Sequence, residues 1–331
     1  MERFALAAAV VLGFALTAAL CSLFVPLRRV LERREQQQQP VQSEQPRPAP
    51  LRAPLWGGLC AAVGTVAAVG VGWLAACVGQ PELLGSEGRL MTRLLTALAG
   101  SLAFGAVGLA EDVARMRSPA ALGLRRDVRL LLEALAAAFV LLLLQAAGCL
   151  PRGLDVPGAG YVLLGSAVPF LWAVLMVALA ECARIAERDE GTVCGAAFVA
   201  MLALMMAEAG LGVPGLAVLP AALAGALVAL LLWAFPPARL GAGCCGSLLA
   251  AGAIGCIPLS LDMTSLTVPL ALPFWAAGGL WAAQLLGAKR TGKPLRCWVK
   301  KHKMSPETVF LCSFALSAVG YVLALALLRW C

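Results

Sequence analysis

The sequence predicts an all-α, polytopic membrane protein of about ten transmembrane helices. Its composition is the first reason. Of 331 residues, 61% are hydrophobic and 13% are charged, with mean hydropathy +0.87, whereas a soluble domain carries about a quarter charged residues. The second is that apolar stretches recur along the whole chain at the roughly 20-residue length a bilayer demands. The third is that Arg and Lys crowd into alternate connecting loops, as they do when one set of loops stays on the cytoplasmic side.

Segment 1 (4–25) is read as a retained helix, because Leu20-Cys21 lacks the small residue that precedes a cleaved or lipidated cysteine. Residues 26–53 open as a helical extension and become a Gln/Pro-rich flexible linker. Segment 2 (54–78) starts at Gly57-Gly58; paired glycines there serve either backbone approach to an anion or helix packing. Segment 3 (94–110) is Ala/Gly-rich from Ala97 to Gly108, which favours close helix approach in lipid, and then runs straight into Glu111-Asp112. A basic stretch with Arg115, Arg117, Arg125, Arg126 and Arg129 leads into segment 4 (128–148), with Glu133 already inside it. Segment 5 (160–181) ends in a run with six charged residues between Glu181 and Glu190. Segments 6 (192–211), 7 (214–235), 8 (246–261), 9 (264–287) and 10 (307–328) complete the set. The whole is expected to be a single integral membrane domain, 1–331, with motif loops at 111–127, 182–191, 236–246 and 288–306.

The loops after odd-numbered segments hold nearly all the basic residues, ending with Lys289, Arg290, Lys293, Arg296, Lys300, Lys301 and Lys303 after segment 9. The even-numbered loops share only Arg89, Arg93 and Arg152. Odd loops are therefore expected in the cytoplasm and both termini outside. Anionic lipid headgroups account for the net charge of +8, and no compact basic domain exists to bind nucleic acid. The twelve cysteines are scattered, mostly within helices, without CxxC or Cys/His spacing, and read as small buried hydrophobes.

The stretches Pro54 to Gly58, Gly108 to Arg115, Glu181 to Gly191, Pro237 to Ser247 and Lys289 to Thr308 resemble five loops of the phospho-N-acetylmuramoyl-pentapeptide transferase (MraY) family. Pro54, Gly57 and Gly58 match the end of that family's first cytoplasmic motif, although both threonines are replaced (Ala53, Leu55) and Met has become Trp56. The Gly-Phe-x-Asp-Asp-x-x-Lys motif is met by Gly108, Leu109, Glu111, Asp112 and Arg115, with Gly123-Leu124 and Leu130-Leu131 following in order. The lengthened side chain of Glu111 displaces its carboxylate by roughly 1 Å or more. In the third motif Glu187 and Glu190 take two aspartate places, Glu181 and Arg184 two asparagine places, and Arg188 a glycine place. Pro237, Ala238, Arg239, Gly243, Gly246 and Ser247 match the fourth motif, but the place of its magnesium-associated aspartate is Cys244. A thiol is soft, and Mg²⁺ is a hard ion that takes oxygen, so the role does not transfer to Cys244. The fifth loop keeps Thr291-Gly292-Lys293 and Met304 to Thr308 but lacks the family's histidine cluster; the lone His302 sits elsewhere.

The resemblance implies a glycosyltransferase 4 fold in a bacterial inner membrane. It implies Mg²⁺ as cofactor, and undecaprenyl phosphate and a UDP-sugar as partners, alongside membrane lipids; a homo-oligomer is left open. The family reaction moves a phospho-N-acetyl-sugar (phospho-MurNAc-pentapeptide) from the UDP-sugar to the lipid in cell-wall synthesis. Carried over by position, Glu111, Asp112 and Glu187 are the catalytic candidates, Asp112 and Glu187 also the metal candidates, and Arg115, Glu190, Gly57, Gly58 and Arg239 the substrate-binding ones. The missing ligands predict a weakly active or inactive copy. A non-catalytic polyprenyl-phosphate-binding or envelope-assembly partner, and a lipid or solute transporter using intramembrane acids such as Glu133 and Glu208, are the alternatives.

Overall fold

The computed structural model describes residues 2–38, 56–79, 88–117, 123–151, 153–156, 160–163, 165, 167–187, 191–212, 215–236, 238–291 and 306–330. Its long helices are α1 (Glu2–Gln38), α2 (Gly57–Gly79), α3 (Gly88–Arg117), α4 (Arg126–Ala146), α5 (Ala167–Ala186), α6 (Thr192–Gly210), α7 (Val218–Ala234) and α8 (Gly243–Ser260). A short 3₁₀ turn (Thr264–Leu266), α9 (Thr267–Leu270), α10 (Leu272–Thr291) and α11 (Pro306–Trp330) follow. Each of the ten apolar segments has most of its described residues on a helix, so the helical membrane class stands. By length and apolarity alone, seven described helices can cross a membrane, or eight if the bent α9–α10 region counts as one span; α7, at 17 residues, is shorter.

Three boundaries differ from expectation. Helix α3 continues to Arg117, so Glu111 and Asp112 lie within it, not in a loop. The start of predicted segment 5 is instead an antiparallel hairpin of β1 (Gly153–Val156) and β2 (Gly160–Leu163), and α5 runs on to Ala186. The helix is thus displaced toward its charged end, which takes Glu181 and Arg184 into its last turns. Segment 9 breaks into two pieces bent by 63°. Pro273 brings no N–H to the carbonyl of Pro269, so the helix loses a rung there. Gly320 of α11 lies against that carbonyl, where a Cβ would collide with the oxygen.

Helix α8 is the centre of the bundle. Every residue of its span is buried, against 28% for the α1 span and 17% for the α11 span. It packs against α2, α3, α5 and α6, most extensively against α3. The α3–α8 contact is close because small residues face each other. A Cβ on Gly108 would collide with the carbonyl of Cys244, and one on Gly252 would meet Ser101 and Phe104 at 3.0 Å. Outward faces carry Phe4, Leu74, Leu142 and Phe170, as lipid-facing helices do.

Short links between antiparallel helices bring one set of helix ends together. The starts of α2, α4, α6, α8 and α11 meet the ends of α3, α5 and α7. Gly57 abuts Gly241 and Leu230, Gly191 abuts Ala234, and Phe310 packs edge-on to Phe235 with ring centroids 5.3 Å apart. The described ends of the helices that flank the loops singled out in the sequence therefore converge on one end of the bundle.

Candidate functional site

At that end α3 delivers Glu111, Asp112 and Arg115 from a single face of its last two turns. Spacings of three and four residues place side chains together on a helix. Asp112 is 1% exposed, and its two oxygens accept the backbone N–H groups of Cys244 (3.0 Å) and Cys245 (2.8 Å). These are the second and third residues of α8, whose own N-cap position, Ala242, offers no side-chain acceptor. Asp112 thus does from a neighbouring helix what a capping residue does locally, and its charge faces the positive end of the α8 dipole. Glycine at 108, one turn earlier, is what allows α3 close enough.

The rest of the site is a buried network of alternating sign. Arg115 donates to Glu111 Oε1 at 2.7 Å and lies 4.0 Å from Asp112 and 3.9 Å from Glu187. Arg129, near the start of α4, donates from Nε to Glu181 Oε1 at 2.7 Å; it lies 3.7 Å from Glu111 and 4.0 Å from Glu133. Arg184 takes the other oxygen of Glu181, also at 2.7 Å. Five carboxylates, those of Glu111, Asp112, Glu133, Glu181 and Glu187, so surround three guanidinium groups. Gly123, with φ +70, passes against Arg115 and Glu111 and closes the cluster on the linker side.

Of the residues expected at a site, Glu111, Asp112, Arg115 and Glu187 are brought together, with Cys244 beside them. Arg239 lies on the loop before α8 and is exposed. Gly57 and Gly58 are buried, and the space before each is filled by protein: a Cβ on Gly58 would collide with the backbone nitrogen of Gly246. That close approach serves helix packing. Glu190, most of the 26–53 linker and the 292–305 stretch with its lone histidine lie outside the described residues. Four members of the network, Arg129, Glu133, Glu181 and Arg184, were not among the expected site residues. The spacing of Arg129 to Glu133 and of Glu181 to Arg184 was the available signal, but pairs at such spacing also occur on solvated surfaces.

Magnesium is the cofactor implied by the resemblance, and the donors do not fit it. Mg²⁺ requires hard oxygen ligands in near-octahedral array. Both oxygens of Asp112 are engaged by backbone amides and both of Glu181 by arginines. Cys244 offers sulfur. Among the described residues no three His, Cys, Asp or Glu side chains come together as a metal site.

Fold and site together define an integral membrane protein with a charged, arginine-lined cluster buried at one end of its helical bundle. Residues 94–262, which include the entire network, match glycosyl transferase family 4, and the chain belongs to that family. Among its relatives is the phospho-N-acetylmuramoyl-pentapeptide-transferase of Desulforudis audaxviator, 32% identical over 170 residues, which are 48% of this chain and 50% of that protein. The protein of the same name from Geobacillus kaustophilus is 26% identical over 271 residues, 81% of this chain and 79% of the relative. That of Mycobacterium tuberculosis is 27% identical over 265 residues, 72% of each chain. The first of these alignments spans only half the relative's length.

Proposed function

We propose that this chain binds polyprenyl phosphate and a UDP-sugar, the reactants of sugar-1-phosphate transfer, at the charged end of the bundle, and that it turns them over slowly or not at all. In this reading that end faces the cytoplasm of a bacterial cell, where odd-numbered loops are expected. The observation that carries the proposal is the meeting of Glu111, Asp112 and Arg115 of α3 with Arg129, Glu181, Glu187 and the first amides of α8. Phosphoryl transfer depends on positioning and on positive charge around the phosphate oxygens. Arg115, partly accessible at 19%, is the group suited to meet a phosphate. Low turnover follows from the engaged carboxylates and from Cys244. Removing one preorganised electrostatic contact typically lowers a rate by a factor equivalent to about 2.7–4 kcal/mol.

The test is exchange of labelled UMP into UDP-sugars by the detergent-solubilised chain, with undecaprenyl phosphate and Mg²⁺, beside direct binding of the labelled lipid. Saturable lipid binding that Arg115→Ala weakens, with slow or absent exchange, supports the proposal. Rapid exchange contradicts the low-turnover part. Movement of lipid across vesicles without binding at this site or chemistry would favour a transporter instead.

A further inference from the structure

We infer that the charged cluster takes no divalent cation, because the guanidinium groups of Arg115, Arg129 and Arg184 hold the carboxylates that a metal ion would otherwise draw together. This rests on the reading that the cluster is a phosphate-lipid site, and concerns how that site is held. Carboxylates gathered in a buried space repel one another and need compensating charge. Here the compensation is visible contact by contact. Glu181 is held on both oxygens, at 2.7 Å each, by guanidinium groups from α4 and from its own helix. Glu111 Oε1 lies between Arg115 at 2.7 Å and Arg129 at 3.7 Å, while its Oε2 is buried without a hydrogen-bond partner. Asp112 is compensated by the amino end of α8. Glu133, fully buried one helical turn beyond Arg129, has neither oxygen hydrogen-bonded and relies on that guanidinium 4.0 Å away.

A divalent ion would have to displace these contacts. Recruiting Asp112 means uncapping α8, and recruiting Glu181 means breaking two charge-assisted hydrogen bonds, which are among the stronger kind. The three guanidinium groups also offset most of the negative charge that would draw an ion in. A guanidinium does not release its proton in a protein to make room. Arg115, the most accessible of the three at 19%, is the cation left to meet a phosphate, so binding of the lipid should need no added metal.

The probe is Mn²⁺, whose unbound signal in electron paramagnetic resonance reports occupancy on the full-length chain in detergent. The expected result is no saturable site in the wild type, and a melting temperature unaltered by EDTA or by Mg²⁺. Arg129→Gln, which strips the shared cation from Glu111, Glu133 and Glu181, should gain saturable Mn²⁺ binding. Arg184→Gln is the second variant, should the first fail to fold. One Mn²⁺ per wild-type chain, abolished by Glu111→Gln, would overturn the inference. So would folded arginine variants that gain no Mn²⁺. Undecaprenyl phosphate binding is then compared in EDTA and in Mg²⁺. Equal binding supports the inference, binding only with Mg²⁺ sinks it, and no binding in either sinks the proposed function instead.

Discussion

Arg129 on α4 and Glu181 on α5, 52 residues apart in the chain, meet at 2.7 Å inside the helical bundle. Around that pair the remaining charges are arranged, since Arg129 also reaches toward Glu111 and Glu133 while Glu181 binds Arg184. Removing one partner of a buried pair leaves the other charged and unmatched, a loss of about 3–5 kcal/mol. Arg129→Gln strands Glu133 and takes one of two guanidinium partners from Glu111 and from Glu181, so it should lie at the upper end of that range. Arg184→Gln strands only one oxygen of Glu181 and should cost less. Unfolding in mixed detergent–SDS micelles measures both. Equal losses would show that Arg129 is not the hub.

Asp112 behaves as an interhelical cap, which predicts what its amide analogue does. Asn keeps one acceptor oxygen but turns an NH₂ toward the second α8 amide, leaving a buried N–H unmatched. Asp112→Asn should lower stability by about 1–3 kcal/mol, the usual loss for a buried donor without a partner. Hydrogen exchange should rise at the amides of Cys244 and Cys245 specifically. Exchange rising uniformly along α8 would contradict a capping role.

Helix α2 offers an internal comparison. A methyl group at Gly58 has no room against Gly246, whereas nothing lies within 4 Å of one at Gly70. Overpacking a tight contact typically costs about 1–3 kcal/mol, so Gly58→Ala should be destabilising to that extent. Gly70→Ala, inside the same helix with open space before it, should be neutral or stabilising by up to about 1 kcal/mol, the helix-propensity gain of Ala over Gly. The pair is measured in the same micelle titration, and similar values for the two would exclude packing as the reason for Gly58.

Much of this architecture was legible in the residues. Apolar length and composition mark the helical class, because lipid leaves a backbone little choice but to satisfy itself within a helix. The Glu111-Asp112-Arg115 trio was legible as a motif. Its helical setting was not, because charged residues usually signal the end of an apolar span, and here they are buried within its last turns by partners distant in sequence. Arg129 read as one more basic linker residue, since nothing local announces that Glu181 will stand opposite it. Glu133 likewise read as a lone intramembrane acid. The place of Cys244 was evident, but not that its backbone N–H, not its thiol, faces Asp112.

The most direct test of the site is to map where a photoreactive polyprenyl phosphate attaches to the full-length chain in native-like membranes, by mass spectrometry of the labelled peptides. Attachment should fall on the end of α3, the start of α4 and the end of α5, around Arg115, Arg129 and Arg184, and unlabelled undecaprenyl phosphate should suppress it. Labelling confined to the opposite end, near the Gly153–Leu163 hairpin, or insensitive to the unlabelled lipid, would contradict the assignment.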